Sequence, residues 1–481
     1  MNTYDAVEEL YFKHKVSFEC LEEEFLNSFD IPPEILSDTI KRILIEAVST
    51  KGQRIFLINY SYKMKDMFVY FSIMIYFFFL SISPFKRRKY KNHDYDVVFD
   101  CWNKQAFDSY YQSLFNKLPF TKIAIFTWVK GYTIENLPVF DKSNQKIFEN
   151  RISGQIFKTQ ICNFFKYKKL SLQTNINFIN LALRLMRYLA LYTTDSRDIS
   201  SKFLISAGDN YYNSMRNFIY HKNGIKNIIL IQNGMRGGKN ATTSGELYVH
   251  CDYYVGFGEY YIDNLYGTIK HKMPIGSLKL AQETDNHKVT DEIDVMFIEQ
   301  IAFIEVDKGY KFSLYIKIVE LLIAFALSHP KYKIVYRVRP LKLDTYSHDL
   351  DKMTIINDLY DRLKSANIVF DDYSKNSYEP LLRSKVVVYY NSALGVEALG
   401  LDKKVLCCNL DKLDYALGIE NEIGILVENS VELFAQKLLT LLETDNDEIK
   451  EYYLKKKRKF MNLEGNPIDK IVNILIKEME Q

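Results

Sequence analysis

Short apolar runs alternate with amphipathic stretches over most of this chain. The apolar runs are rich in β-branched residues, as in Ile225–Ile231 (IKNIILI), Ile293–Ile298 (IDVMFI) and Lys385–Tyr389 (KVVVY). The stretches between them, such as Phe312–Ser328 and 351–365, carry apolar residues at helical spacing. A strand of a parallel sheet is buried on both faces and therefore reads as a continuous apolar run. Strands that alternate with helices in this way predict a parallel, doubly wound sheet.

The strand pattern occurs on both sides of a polar stretch, 281–292 (AQETDNHKVTDE), which we interpret as a linker. Strands predicted before it are Arg54–Ile58, Asp96–Phe99, Lys122–Thr127, Lys202–Ser206, Ile225–Ile231 and Asp252–Gly256. Strands predicted after it are Ile293–Ile298, Tyr332–Tyr336, Ile368–Phe370, Lys385–Tyr389 and Gly424–Val427. The predicted fold class is therefore α/β, with two Rossmann-like doubly wound parallel-sheet domains that face a cleft. The predicted boundaries are a helical extension at 1–50, an N-terminal domain at 51–285, a C-terminal domain at 290–445 and C-terminal helices at 446–481.

One segment departs from the soluble pattern. Met67–Phe85 (MFVYFSIMIYFFFLSISPF) has no charged residue, and the basic run Lys86–Lys91 follows it. Its length is close to that of a membrane span, and an anionic membrane surface attracts basic residues of this kind. Peripheral contact, a buried core helix and a true span all remain open. We predict peripheral contact with the inner face of the cytoplasmic membrane.

Composition limits the class of protein. With 481 residues, 47% of them hydrophobic and 26% charged, the chain can bury the cores of two domains. A net charge of only +3 argues against a nucleic-acid partner. The six cysteines show no C-x-x-C spacing, which indicates a reducing compartment and no zinc site. No secretory signal opens the chain, so we expect a cytoplasmic protein.

Polar residues follow several predicted strands of the C-terminal half, where ligands of parallel sheets bind. Asn391 and Ser392 stand between the strand Lys385–Tyr389 and a helix, in a position to hold a phosphate. Arg337 and Arg339 follow Tyr332–Tyr336 and, being two residues apart, point to one side of the strand. They are either phosphate ligands or strand-end surface charges.

The phosphate position makes a nucleotide-type ligand the first hypothesis, and three further residues are candidates for contact with its nucleoside. Ser374 and Tyr378 lie in the loop after Ile368–Phe370 and contact base or ribose, unless the loop is an ordinary polar one that caps a helix. Glu397 lies one turn into the helix after Ser392, where a carboxylate can bind ribose hydroxyls or simply face solvent.

Other candidates lie in the N-terminal half. Gly276 and Ser277 close this half and are placed to meet the diphosphate of such a nucleotide ligand. Asp209 follows Lys202–Ser206 directly and is the first candidate for a general base, although aspartate is also a common helix N-cap. Asp100, at the end of Asp96–Phe99, is the second candidate.

We predict no metal site. Asp94 and Asp96 form a D-x-D pair, which we interpret as a turn before the strand. No histidine pair has ligand spacing, and no G-x-x-x-x-G-K-[ST] or G-x-G-x-x-G motif occurs.

Three short stretches carry a resemblance to a known family. Leu230–Gly234 (LIQNG) resembles a Gln-His-Gly strand end, Tyr336–Pro340 (YRVRP) resembles Arg-x-His-Pro, and Asn391–Ala398 (NSALGVEA) resembles Ser-Ser-x-x-x-x-Glu-Ala. These patterns are found in GT-B glycosyltransferases of bacterial surface-polysaccharide biosynthesis. The similar groups are the CDP-glycerol glycerophosphotransferases and the CMP-Kdo and CMP-sialic acid transferases. The resemblance covers roughly residues 200–410.

The resemblance implies a transferase that moves a sugar or polyol-phosphate unit from a nucleotide-activated donor of the CMP, CDP or UDP type, without another cofactor. The acceptor would be a glycan or a lipid-linked precursor of capsule, lipopolysaccharide or a teichoic-acid-like polymer. Gln232, Asn233 and Arg236 would then lie on the acceptor side, the last of them in the Gly-rich loop Gly234–Lys239.

Two departures from the family pattern matter. Asn233 stands where a histidine is usual and cannot act as a base, whereas Arg339 stands at a histidine position and can still bind phosphate in a bidentate way. The loss of both histidines suggests an alternative, a non-catalytic GT-B-like assembly partner. A nucleotide-sugar epimerase of the same fold is a further alternative.

Overall fold

We describe the protein from a computed structural model. It describes residues 3–49, 72, 75, 78, 93–101, 104–127, 133–134, 137–141, 150–197, 199–208, 213–235, 247–286, 290–299, 309–338, 350–371, 376–413 and 417–480. Several predictions lie outside these residues, namely Asp209, Arg236, Arg339, Ser374, the strand Arg54–Ile58 and most of 67–85.

The chain divides into two compact units. The first unit comprises Met1–Val255, Ile262–Met273 and Asp469–Gln481, and the second comprises Gly256–Tyr261 and Pro274–Ile468. The long continuous part of the second unit begins at Pro274, ahead of the boundary predicted from the polar stretch. The chain also returns to the first unit at its C-terminal end.

The first unit contains a seven-stranded sheet. Its strands are β1 (His93–Cys101), β2 (Ile123–Thr127), β3 (Val139–Asp141), β4 (Ile199–Ser206), β5 (Ile225–Ile231), β6 (Cys251–Gly256) and β7 (Ile269–Pro274). Its helices are α1 (Thr3–Lys13), α2 (Lys15–Phe29), α3 (Pro33–Ser49), α4 (Lys104–Tyr110), α5 (Gln112–Lys117), α6 (Asn150–Thr174), α7 (Phe178–Ser196) and α8 (Ser214–Lys222). The strand order is β3-β2-β1-β4-β5-β6-β7, and the pairings from β3 to β6 are parallel.

The second unit contains a six-stranded sheet. A short helix, α9 (Glu259–Asp263), spans the division between the units. The second unit's strands are β8 (Ile293–Ile298), β9 (Ile334–Arg337), β10 (Val369–Asp371), β11 (Ser384–Tyr389), β12 (Lys404–Cys408) and β13 (Ile425–Leu426). Its helices are α10 (Leu278–Asn286), α11 (Gly309–Ser328), α12 (Leu350–Ser365), α13 (Tyr378–Leu382), α14 (Ala393–Gly400), α15 (Val431–Glu443) and α16 (Asp447–Phe460). The last helix, α17 (Pro467–Met479), lies mainly in the first unit.

Both sheets have the same topology. In the second sheet the order is β10-β9-β8-β11-β12-β13, and all of its pairings are parallel. Each sheet therefore grows outward from a central pair, β1 and β4 in one unit and β8 and β11 in the other. This is the doubly wound order in which the chain reverses direction at a switch point. The predicted fold class of two doubly wound parallel-sheet domains with N-terminal helices is confirmed.

The N-terminal helices are part of the first unit's core. Ile35, Ile40 and Leu44 of α3 are buried in the same hydrophobic cluster as Met215 and Tyr220 of α8. The Thr39 hydroxyl also accepts a hydrogen bond from the Met215 backbone N–H at 3.3 Å. Helices α1 to α3 therefore cover the sheet through α8.

Three local predictions were wrong. The polar stretch 281–292 is helical as far as Asn286, because Ser277 caps α10 by accepting a hydrogen bond from the Leu280 N–H at 3.2 Å. Asp94 and Asp96 lie within β1, near its amino end, rather than in a turn before it. The sequence pattern also predicts a helix from Glu259 to Tyr266, whereas α9 ends at Asp263 and Tyr266 pairs with Tyr248 in a β-bridge.

Among the described residues, no helix combines the length and the apolar character that a membrane span requires. Basic side chains of α16 form ion pairs with nearby acidic side chains. Lys456 binds Glu422, Lys457 binds Asp402 and Arg458 binds Glu464. This part of α16 is therefore not an open cationic surface.

Candidate functional site

The switch point of the second sheet lies between β8 and β11, and Tyr390, Asn391 and Ser392 follow β11 there. Ser392 is the N-cap residue of α14 and is 9% exposed, but its side chain makes no capping hydrogen bond. The first N–H groups of a helix carry a partial positive charge and lack partners within the helix. An uncapped helix start at the switch point can therefore bind an anion such as a phosphate.

Helix α14 can begin here because Gly395 has no side chain. A Cβ at this position would lie 2.2 Å from the Tyr389 ring, far inside contact distance. The helix therefore packs its first turn directly against the end of β11.

Three of the predicted donor-side residues meet in one cluster. The buried Glu397 carboxylate accepts a hydrogen bond from the Ser277 hydroxyl at 2.6 Å on one oxygen and from the Tyr378 hydroxyl at 2.8 Å on the other. Ser277 precedes α10, Tyr378 begins α13 and Glu397 belongs to α14. Glu397 is 5% exposed, which rules out the interpretation of a solvated helix residue.

The charge of Glu397 is balanced only in part. Burial raises the pKa of its carboxyl group, while the nearby Lys279 and the two hydroxyl donors act in the opposite direction. The Lys279 Nζ lies 5.2 Å from the centre of the Tyr378 ring. Since each carboxylate oxygen can accept about two hydrogen bonds, Glu397 retains capacity for ligand hydroxyls. Lys279 was not identified from the sequence, because a single lysine in a polar stretch carries no distinguishing signal.

Gly276 shapes the approach to this cluster. Its φ of +98° lies in the region that favours glycine, and an added Cβ would come within 2.9 Å of the Leu463 side chain. Its N–H donates to the Gly256 carbonyl at 3.1 Å. We therefore assign Gly276 a backbone role in placing Ser277.

Arg337 is buried rather than a surface charge. It is 3% exposed, and its guanidinium forms an ion pair with Asp371 and donates to the Ser377 hydroxyl at 3.1 Å. It thereby links the end of β9 to that of β10 and to the start of α13. A phosphate ligand would have to share this guanidinium with Asp371, so the phosphate role of Arg337 remains a prediction.

A buried carboxylate at the same sheet edge was not found from the sequence. Glu299 follows β8 and accepts hydrogen bonds from the hydroxyls of Tyr315 at 3.2 Å, Tyr336 at 3.0 Å and Tyr360 at 2.6 Å. Burial, together with this carboxylate, raises the pKa of Tyr315 and Tyr336 well above the ordinary value, so both stay protonated and donate. These tyrosines are dispersed over three elements, and only the fold brings them together.

The corresponding edge of the first sheet is closed by an ion pair. The Asp100 carboxylate at the end of β1 is buried and pairs with the fully buried Arg216 of α8. It also accepts from the Ser206 hydroxyl at 3.2 Å. The base role of Asp100 stays a prediction, and a carboxylate held by a buried arginine is poorly placed to take a proton from an acceptor.

The acceptor-side residues Gln232 and Asn233 follow β5. The Asn233 side-chain amide donates to the Ala207 carbonyl at 2.5 Å. The backbone carbonyl of Asn233 accepts a hydrogen bond from the Tyr110 hydroxyl at 3.1 Å. The Gln232 side chain donates to the Gly234 carbonyl at 2.8 Å. Both amides thus help to fix the ends of β4 and β5.

Among the residues that the structure describes, no three His, Cys, Asp or Glu side chains come together as a metal-ligand group. The described donors of the second sheet edge are hydroxyls, a guanidinium and backbone N–H groups. Donors of these kinds are suited to phosphate and hydroxyl groups.

Comparison with known proteins finds similar solved structures but no similar sequence. No protein-family model matches the chain, and no curated protein matches its sequence. Among solved structures, the wall teichoic acid polymerase TagF is 11% identical, with a TM-score of 0.45, over 87% of this chain and 99% of that one.

Two further solved structures are similar to about the same degree. Trehalose-6-phosphate synthase OtsA is 10% identical with a TM-score of 0.43, over 80% of this chain and 99% of that one. UDP-GlcNAc 2-epimerase from Neisseria meningitidis is 14% identical with a TM-score of 0.42, over 80% of this chain and 100% of that one. Because these TM-scores are below 0.5, we derive no residue role from these structures.

Proposed function

We propose that this chain is a GT-B glycosyltransferase. It would move a sugar or polyol-phosphate unit from a CMP-, CDP- or UDP-activated donor to a growing cell-surface glycan or its lipid-linked precursor. The observation that carries the proposal is the cluster of Ser277, Tyr378 and Glu397. The sequence nominates these residues separately as donor ligands, and in the fold they share hydrogen bonds on one buried carboxylate.

The phosphate and the ribose of the donor would each meet one feature of the second unit, the start of α14 and Glu397. The uncapped start of α14 at Ser392 supplies N–H groups and a positive dipole end for the leaving phosphate. Glu397 lies one turn further along the same helix and can accept hydrogen bonds from ribose hydroxyls. Phosphate and ribose are neighbouring groups in every nucleotide, so a single ligand can use both.

Transfer also requires a group that removes a proton from the acceptor hydroxyl. Asp209 stays the first candidate, since it stands three residues after the end of β4 in the sequence. The alternative carboxylate, that of Asp100, already forms a buried ion pair with Arg216.

A donor panel tests the proposal. Purified protein is incubated with CMP-, CDP-, UDP- and GDP-activated sugars and with CDP-glycerol, without acceptor, and nucleotide release is followed by chromatography. Slow release of a free nucleotide from one donor class supports a transferase. Conversion of the donor to an isomeric nucleotide sugar would identify an epimerase instead.

Binding experiments test the remaining alternative, a non-catalytic assembly partner. Tight binding of a nucleotide without any turnover, even with cell-surface glycan fragments added, would favour the non-catalytic assembly partner. If calorimetry detects no binding of any nucleotide, the donor-site assignment itself is wrong.

A further inference from the structure

An exposed apolar face runs along α6 in the first unit. Ile161, Phe165 and Leu172 are 52%, 78% and 65% exposed, although α6 buries Ile156 and Tyr167 completely on its other side. Single exposed apolar residues are normal on protein surfaces. Several on one helix face need a partner to cover them.

The three apolar side chains project in nearly one direction. With 3.6 residues per turn, positions 161, 165 and 172 fall within roughly 40° of one another around the helix axis. By the same geometry, Lys158, Lys168 and Lys169 fall within about 60° of that stripe. The face is therefore an apolar strip bordered by lysines.

The charge of α6 is of one sign. Its 25 residues include five Lys or Arg and no Asp or Glu. Lys166 on the inner side pairs with Glu24 of α2 at 3.7 Å. Lys158 and Lys169 form no ion pair within the described part of the chain. Their charge is thus available to an anionic partner.

Phe78, a described residue of the apolar stretch 67–85, contacts the same helix. Ser72, Ile75 and Phe78 are its described residues and all three are helical. The Phe78 ring lies against that of Phe157 on α6, with centroids 5.1 Å apart, while Ile75 remains 53% exposed. The Phe78 ring, itself 39% exposed, therefore adds to the apolar surface beside α6.

We infer that the exposed α6 face, defined as Ile161, Phe165 and Leu172 with Lys158 and Lys169, docks the protein onto an anionic lipid surface. An amphipathic helix with lysines beside exposed aromatic and aliphatic side chains lies in the plane of such an interface. A second copy of this chain fits less well, because a two-fold contact of this face would bring like charges together. The inference does not depend on the proposed enzymatic function.

Vesicle binding of the full chain tests the inference. Phe165→Trp places a fluorophore at the most exposed position of the face, and its emission should shift to the blue with vesicles that contain phosphatidylglycerol. Ile161→Ser combined with Phe165→Ser should weaken partitioning by on the order of tenfold for each side chain removed from the interface. Leu327→Ser, at a 63% exposed apolar position in the second unit, is the matched control and should bind normally.

Charge dependence separates lipid docking from general stickiness. Lys158→Gln and Lys169→Gln should each lower binding about fivefold at low salt, whereas Lys455→Gln in α16 should have little effect. Unchanged binding in the α6 variants would refute the inference, as would equal binding to neutral phosphatidylcholine vesicles. Concentration-dependent self-association that Phe165→Ser abolishes, without vesicle binding by the wild type, would assign the face to a second copy instead.

Discussion

Replacing Glu397 by glutamine should separate ligand binding from folding. The carboxylate accepts one hydrogen bond on each oxygen, at 2.6 and 2.8 Å. A glutamine has nearly the same shape and still meets both hydroxyls, one through its carbonyl and one through its amide. Because burial already penalises the charge, we expect the free energy of unfolding to change by no more than about 1 kcal/mol.

Nucleotide affinity should respond much more strongly. Hydrogen bonds between ribose hydroxyls and a charged acceptor contribute roughly 1.5–3 kcal/mol, so the donor Kd should rise by about 10- to 150-fold. Tyr378→Phe removes one of the two bonds that orient the carboxylate and should cause a smaller loss. The matched control is Glu379→Gln, the same chemical change at the next residue on a side chain that pairs with Arg383 at the surface.

The measurement is isothermal calorimetry with the nucleotide that the donor panel identifies, alongside chemical denaturation of each variant. Burial raises the pKa of Glu397, so wild-type affinity should also begin to fall at a higher pH than an ordinary glutamate would produce. In folding, a raised acid pKa lowers stability as the pH rises, so Glu397→Gln should gain relative stability towards neutral pH. Wild-type affinity in Glu397→Gln, with the Glu379→Gln control intact, would refute the ribose role and leave Glu397 a structural residue.

Arg337→Ala should lower the free energy of unfolding by about 3 kcal/mol, because it leaves Asp371 unpaired; a denaturation midpoint equal to the wild type would contradict this. If Arg337 also binds the donor phosphate, calorimetry should show a further loss of roughly 1.5–3 kcal/mol in affinity. Asp252 is buried, which alone would raise its pKa, yet hydrogen bonds from His221, Lys270 and the Ile228 N–H lower it to about 2. Its contribution of about 2 kcal/mol should therefore be present above pH 4 and lost between pH 4 and 2, and Asp252→Asn should flatten that part of the stability curve. Asp209→Asn should reduce turnover by a factor on the order of 10²–10⁴ with little change in melting temperature, whereas near-normal turnover would make Asp209 a helix cap.

The strand pattern was sufficient to predict the fold class. Buried parallel strands such as β5, β8 and β11 are nearly continuous apolar runs, and this signal is local in the sequence. β3 has only three residues and β7 is largely polar, so neither gave a signal. The start of α10 was also missed, because Ser277 was considered only as a ligand contact. Its hydroxyl in fact caps α10 by accepting from the Leu280 N–H, and it also donates to Glu397.

A site residue could be predicted only where its own position in the sequence, next to a predicted strand or helix, indicated its role. Glu397 and Ser277 could be proposed from their places after predicted elements, but their contact joins positions 120 residues apart. Glu299 was missed for a related reason. The three tyrosines that hold it come from α11, β9 and α12, and no short motif records such a meeting. Arg337 was identified, but its ion pair with Asp371 was not.

The two switch points differ in how readily each could accept an anionic ligand. Both sheets have the same strand order, so topology alone offers an equivalent crevice in each. In the first sheet a buried arginine, Arg216, already compensates the carboxylate of Asp100 at that crevice. In the second sheet the helix that follows the crevice begins without a side-chain cap, and Ser392 stands at its start. Among the described residues, an incoming phosphate would meet a helix start without a side-chain cap at the second crevice and would have to break a buried ion pair at the first.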